Sequence, residues 1–154
     1  VDWLGNDVGI FWICGKPGAG KSALMKYIID HLETIELFAI YQKRAAISIG
    51  FFSHDLGAPS EETFSGLLHA LLFQLLADLP GLLSSVQSRF QRVRKRWATS
   101  SADATIWSKI ELKGTFLDIQ QYSDLETSIL CVIDRLDGCE AKSIPDMLSF
   151  LRSV

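Results

Sequence analysis

The chain has 154 residues, of which 48% are hydrophobic and 21% charged. That is enough apolar material for one packed domain and too much for a disordered tail. Fifteen Lys and Arg against eighteen Asp and Glu leave a net charge of −3, which gives no reason to expect direct nucleic-acid binding or a membrane-surface role.

The longest apolar stretch, residues 67–77, is interrupted by His69 and Gln74 and falls short of the roughly 20 residues of a membrane span. No basic and apolar signal peptide opens the sequence. Without an initiator Met, the chain is expected to be a piece of a longer polypeptide. Cys14, Cys131 and Cys139 form no CxxC pair and read as reduced, mostly buried thiols. The expectation is a soluble, cytoplasmic, globular domain.

In chain order, residues 9–14 (Gly-Ile-Phe-Trp-Ile-Cys) have the profile of a buried strand ending at glycine. Residues 22–33 follow as a helix, with Leu24, Ile28 and Leu32 at i, i+4 and i+8 on one face. A second short helix is expected over 35–42 and a strand over 46–52. Gly57 to Ser60 is a loop, and Ser60 suits a helix N-cap. Phe64, Leu67, Leu68, Leu71, Leu72, Leu75, Leu76 and Leu79 then keep helical spacing until Pro80-Gly81 stops the run. Such a face belongs in a core.

Residues 82–97 also read as a helix, and Arg89, Arg92, Arg94, Lys95 and Arg96 make it basic. No aromatic residues interleave to support base stacking, so the reading is a solvated face. A Ser/Ala/Asp linker over 99–105 leads into a weaker helix over 106–119. Residues 128–133 (Ser-Ile-Leu-Cys-Val-Ile) form the third expected strand, apolar enough for a parallel strand covered on both faces. Ser143-Ile144-Pro145-Asp146 resembles a capping box and opens a last helix running to the end of the chain. Strands alternating with helices predict an α/β fold with a parallel sheet.

The chemistry sits between the first strand and the first helix. Gly15-Lys16-Pro17-Gly18-Ala19-Gly20-Lys21-Ser22 fits G-x-x-x-x-G-K-[ST] at every fixed position, and with Ala23 these are the candidate nucleotide-binding residues. Phosphate oxygens need several backbone N–H donors converging on one point, and the glycines leave that approach open. Lys21 then reaches the β- and γ-phosphates, and the Ser22 hydroxyl ligates Mg²⁺. At the end of the third strand, Asp134 suits the Walker B role of holding a metal-bound water. Three residues on, Asp137 is a candidate acceptor for the attacking water. His31, His54 and His69 share no metal-ligand spacing and read as surface or helix-end residues.

Residues 9–25, together with 46–52, 67–79, 107–117 and 129–139 with its Ile133-Asp134-Arg135-Leu136-Asp137, closely resemble the NACHT-type STAND NTPase domains of fungal NLR-like proteins. The likeness is specifically to their nephrocystin-like N-terminal NTPase domain, and it covers nearly all of 1–154. It implies a P-loop NTPase three-layer fold with a parallel sheet, truncated after the helix that follows Walker B. It also implies a sheet in which a strand later in the chain separates the phosphate-loop strand from the Walker B strand, so that the two should not pair here. The function implied is a signalling switch that binds ATP or GTP with Mg²⁺. Effector and sensor-repeat regions of the parent chain would be its partners, and activation would bring homo-oligomerisation. Carried over, Lys21 and Ser22 bind phosphate and Mg²⁺, Asp134 is the Walker B acid, and Asp137 the second acid. The chain departs in having Arg135 for a small residue and Gly138 for a Glu. That implies NTP hydrolysis that is weak or absent while binding survives. A small-molecule phosphotransferase with residues 89–96 as its lid, or an interaction scaffold with a degenerate nucleotide site, are the other readings.

Overall fold

The computed structural model describes residues 9–52, 63–98, 107–121, 126–134 and 143–153. Among them, two stretches rich in Ile, Val, Phe and Ala form the strands β1 (Ala45–Phe52) and β2 (Thr127–Asp134). They pair in parallel, in register from Ala45 opposite Thr127 to Phe52 opposite Asp134. Side chains alternate across the pleat. Ile47, Ile49, Phe51, Ile129 and Ile133 therefore belong to one apolar cluster, and Ala46, Phe52, Leu130 and Val132 to another.

Each cluster is closed by helices, which gives three layers. On the second face lie α1 (Lys21–Asp30) and α2 (Leu32–Gln42), and Met25, Ile28, Ile29, Ile35 and Phe38 pack against Leu130 and Val132. On the first face α3 (Phe64–Asp78) crosses β1. Behind it come α4 (Leu83–Ala98), α5 (Lys109–Gln120) and α6 (Ile144–Leu151). Leu67, Leu68 and Leu75 of α3, Leu112 of α5 and Met147 of α6 are fully enclosed. Truncating one such Leu to Ala costs about 2–5 kcal/mol. The expected mixed α/β fold with a parallel sheet is what forms.

Local chemistry explains several boundaries. Thr63, not Ser60, caps α3: its hydroxyl accepts from the Gly66 N–H at 3.0 Å, and Ser60 lies outside the described residues. Pro80 opens a short 3₁₀ turn over Pro80–Leu82, and α4 leaves α3 at 110°. Ser108 caps α5, accepting from Glu111 N–H at 3.3 Å.

Other expectations need correction. The helix expected over 22–33 ends at Asp30, because His31 is extended (φ −91°, ψ 119°) and the chain restarts as α2. With that break, Leu24 and Leu32 are 46% and 78% exposed, and the inward face is Met25, Ile28 and Ile29. Ser143 makes no side-chain cap. Asp146 of the expected capping box instead receives Lys109 Nζ at 3.0 Å and the Lys113 ammonium, tying α6 to α5. The α6 helix also stops at Leu151, short of the end of the chain.

Residues 9–16 form no strand, and Phe11 and Trp12 are 62% and 50% exposed. A strand persists only where a neighbour satisfies its N–H and C=O groups. Among the described residues, β2 pairs with β1 alone, so residues 10–13 and 129–133 are not neighbours in the sheet.

Cys14 is solvent-exposed, not buried; the Cys131 side chain reaches solvent but sits in surroundings packed closely enough that burial pushes its thiol up to about 12. Cys131 is left open because α3 lies over β1 rather than over β2. The basic face of α4 is not simply solvated either. Arg89 is bound by Glu111 and Asp118 of α5, and Arg96 also pairs with Glu111. No single helix among the described residues is long and apolar enough to cross a membrane.

Candidate functional site

The glycine loop leads directly into α1. Gly18 and Gly20 sit at φ +77° and +80°, in the left-handed region where a Cβ is strained. Between them the chain turns tightly, and Ala19 N–H donates to the Lys16 carbonyl at 3.2 Å. Gly20 serves as the N-cap of α1, its carbonyl accepting from Leu24 N–H at 2.9 Å. As a glycine it has no side chain with which to cap the helix, and no acidic residue lies in the first turn. The first N–H groups of a helix have no intrahelical acceptor and carry the positive end of its dipole. Lys21, Ser22 and Ala23 carry that positive end, with neither a side-chain cap nor a first-turn acid against it.

Lys21 adds a full charge at this place. Its ammonium folds back along the loop, donating to the carbonyls of Gly15 at 2.9 Å and Lys16 at 3.1 Å. Those two bonds fix the Nζ position. They consume two of the three ammonium donors, leaving one for another acceptor. Ser22 and Lys16 are exposed beside it. Residues 15–23, Pro17 among them, thus bring Lys16, Lys21 and the first N–H groups of α1 together along one loop.

Asp134 closes β2 and is 9% exposed. Along β2 it alternates onto the side of Leu130 and Val132, which is the side covered by α1 through Met25, Ile28 and Ile29. The carboxylate therefore belongs to the same layer as the helix that carries Lys21 and Ser22. Parallel pairing also puts it at the carboxyl end of the sheet, opposite Phe52, where open α/β sheets bind ligands. Among the described residues, no hydrogen bond or ion pair joins Asp134 to Lys21 or Ser22. No group of three His, Cys, Asp or Glu side chains there is arranged to hold a metal. Asp137, Gly138, Cys139 and His54 lie outside the described residues. Of the other histidines, His31 sits at the break between α1 and α2, and His69 is exposed on α3.

Of the residues that seat α1, the sequence reading has Ile28 on the inward face but not Met25 or Ile29. Met25, Ile28 and Ile29 dock it on Leu130 and Val132, and so set where the glycine loop stands relative to the strand end. Their i, i+3, i+4 spacing was the available signal, obscured by the more conspicuous leucines one position away.

The model of the family described as nephrocystin 3, N-terminal, matches residues 1–154. The chain belongs to that family. The nephrocystin 3 N-terminal chain is also similar to the vegetative incompatibility protein HET-E-1 of Podospora anserina, with 26% identity over 147 residues. The alignment covers 96% of the present chain but 10% of the fungal protein, so the chain spans about a tenth of that relative's length. No solved structure gives a significant match. The family match and this relative bear out the resemblance to nephrocystin-like domains of fungal NLR-like and vegetative-incompatibility proteins.

Proposed function

We propose that this chain is the nucleotide-binding module of a NACHT-like signalling switch, taking ATP (or GTP) with Mg²⁺ and hydrolysing it weakly or not at all. The observation that carries the reading is the seat of the Lys21 ammonium. It is held by the Gly15 and Lys16 carbonyls at the uncapped start of α1, beside a loop turned by two left-handed glycines. A polyphosphate needs converging N–H donors and a fixed cation, and the loop supports the reading with both, while the first turn of α1 carries no acidic residue.

In this reading Gly15 to Ala23 enclose the phosphates, with the backbone N–H groups of the loop and first turn as donors. Lys21 holds its third donor toward the β- and γ-oxygens. Ser22 and Asp134 would hold Mg²⁺, whose charge draws the phosphate oxygens into one orientation. The Ser22 hydroxyl is exposed and Asp134 ends the strand next to α1, so the donor types suit a hard cation. Asp137 is the acceptor proposed for the attacking water. ATP is favoured over GTP because the sequence has no Asn-Lys-x-Asp guanine motif.

The phosphotransferase alternative loses support from α4. It needs mobile arginines as a lid, whereas Arg89 is held by Glu111 and Asp118, and Arg96 by Glu111. The switch reading is tested by metal dependence. Ser22→Ala and Asp134→Asn should each reduce the Mg²⁺-dependent part of ATP affinity by about tenfold, roughly 1.4 kcal/mol, without changing metal-free binding. Equal Mg²⁺ dependence in both variants and the parent would remove the metal roles.

A further inference from the structure

Alternation along β1 sends Ile49 and Phe51 toward α3 and puts Gly50, like Ala46 and Phe52, on the side of α1. Both helical layers nevertheless meet at Gly50. From α3, Gln74 Oε1 accepts from the Gly50 N–H at 3.0 Å, and Gln74 Nε2 donates to the Gly50 carbonyl at 2.8 Å. The same Nε2 also donates to the Ala70 carbonyl at 3.0 Å, which fixes the amide against its own helix. These bonds and the pairing with Val132 use only the main chain of Gly50, so a methyl at position 50 would leave them in place.

From α1 comes Ile29. A Cβ on Gly50 would lie 2.3 Å from Ile29 Cδ1 and 2.9 Å from Phe52 Cε2, far inside the separation of about 3.5–4.0 Å at which carbon atoms pack. Gly50 is not among the glycines with positive φ. Its missing side chain therefore serves close approach, not a turn. A methyl there needs two side chains to give at once, and Ile29 keeps one χ1 rotamer on a helix, so the strain passes to the seat of α1. Ser22, Met25 and Ile29 follow at i, i+3 and i+7, along one face of that helix. About 10 Å of helix separates Ser22 from Ile29, and Asp134 ends β2 two residues beyond Val132 on the same side of the sheet. The depth at which Ile29 meets Gly50 thus bears on where Ser22 stands over the strand that carries Asp134.

We propose that Gly50 is a positioning residue for the nucleotide site: the side chain it lacks lets Ile29 seat α1 against the sheet, and that seat sets Ser22 against Asp134. The inference rests on the reading of Ser22 and Asp134 as the pair that holds Mg²⁺. Gly50 stands outside residues 15–23 and acts through α1, not on the nucleotide. Gly50→Ala adds the methyl that the seat excludes, and Ile29→Val withdraws Cδ1, the nearer of the two atoms it would strike. The effect of the first change should therefore shrink in the presence of the second, which unrelated losses of stability do not do.

The test is a double-mutant cycle on the 154-residue chain, Gly50→Ala, Ile29→Val and the two combined, read by titration with labelled ATP with and without Mg²⁺. Gly50→Ala should cut the Mg²⁺-dependent gain in affinity by about fivefold, with a smaller loss of metal-free affinity. In the Ile29→Val background the same change should cost less than about twofold. An equal Mg²⁺ gain in the parent and Gly50→Ala would overturn the proposal and leave the metal reading standing. No Mg²⁺ gain in the parent would overturn both. A loss just as large in the Ile29→Val background would overturn the proposal too, since Ile29 would then not carry the effect. Whether or not Gly50→Ala folds, the parent should show a nuclear Overhauser contact between the Ile29 δ1 methyl and the Gly50 α protons, and its absence would remove the seat on which the proposal stands.

Discussion

Arg89 grips Asp118 through two parallel hydrogen bonds, Nε to Oδ2 at 2.6 Å and Nη2 to Oδ1 at 2.9 Å. Its remaining terminal nitrogen reaches Glu111 at 3.2 Å, and Arg96 joins the same carboxylate. This network binds α4 to α5. The hydrogen bond from Arg89, opposed by burial, holds the Asp118 carboxyl below its ordinary range. For Glu111, burial pushes upward, but the bonds from Arg96 and Arg89 together outweigh it and the net shift is down.

Both carboxylates are more acidic folded than unfolded, so they stabilise the fold above the ordinary carboxylate pKa near 4 and lose that contribution as pH falls below it. Urea midpoints measured from pH 7 to pH 3 should therefore drop most steeply below about pH 4.5. Arg89→Met should flatten that drop and cost about 1–3 kcal/mol at pH 7, discounted for the partial exposure of the pair. An unchanged pH profile in Arg89→Met would show that the network contributes nothing.

Gly114 belongs to the same arrangement. A Cβ placed there would meet the Arg89 guanidinium, with Cζ at 2.6 Å and Nη2 at 2.8 Å. An interior helical Gly→Ala change ordinarily stabilises by about 1 kcal/mol. Here the guanidinium is pinned by two carboxylates and must be displaced. Gly114→Ala is expected to be destabilising at pH 7 and less so as pH falls through the lowered pKa of the two carboxyls, where their hold on Arg89 weakens. A stabilising effect across that range in urea titrations would mean that Arg89 moves aside at no cost.

The sequence made the regular parts of this fold visible for a physical reason. Leu67, Leu68, Leu71, Leu72 and Leu75 follow the helical period because α3 buries one face, and Leu130 and Val132 are apolar because that face of β2 lies under α1 and α2, whereas Cys131 on the other face is left open. The break at His31 carries no proline or glycine to announce it, so periodicity carried across it picks Leu24 and Leu32 along with the correct Ile28. Residues 9–14 have strand composition, yet composition cannot supply a hydrogen-bonding neighbour. Arg89 looked like one more solvated base because its partners Glu111 and Asp118 are 22 and 29 residues away. Gln74 appeared only as an interruption of an apolar run. The glycine loop was fully legible, since its geometry is written in local residue types. The placement of Asp134 beside α1 was not, because it depends on strand register.

Hydrolysis should be slow. Orienting a water for attack on phosphate requires a positioned acceptor and cationic help for the developing charge. Gly138 follows Asp137 where the family resemblance implies a Glu, and it offers no side chain. Single-turnover assays should give little ATP hydrolysis in the parent and about a hundredfold more in Gly138→Glu. Asp137→Ala should abolish whatever remains. Brisk turnover in the parent that survives Asp137→Ala would place the catalytic acid elsewhere.

The seat of Lys21 on Gly15 and Lys16 is where nucleotide binding is most directly decided. A titration with fluorescently labelled ATP in excess Mg²⁺ should show saturable binding by the parent chain. Lys21→Ala, with circular dichroism unchanged, should bind at least about tenfold more weakly, a loss of roughly 1.4 kcal/mol. Equal affinity of the two proteins, or no saturable binding by the parent, would contradict a nucleotide-binding role for this loop.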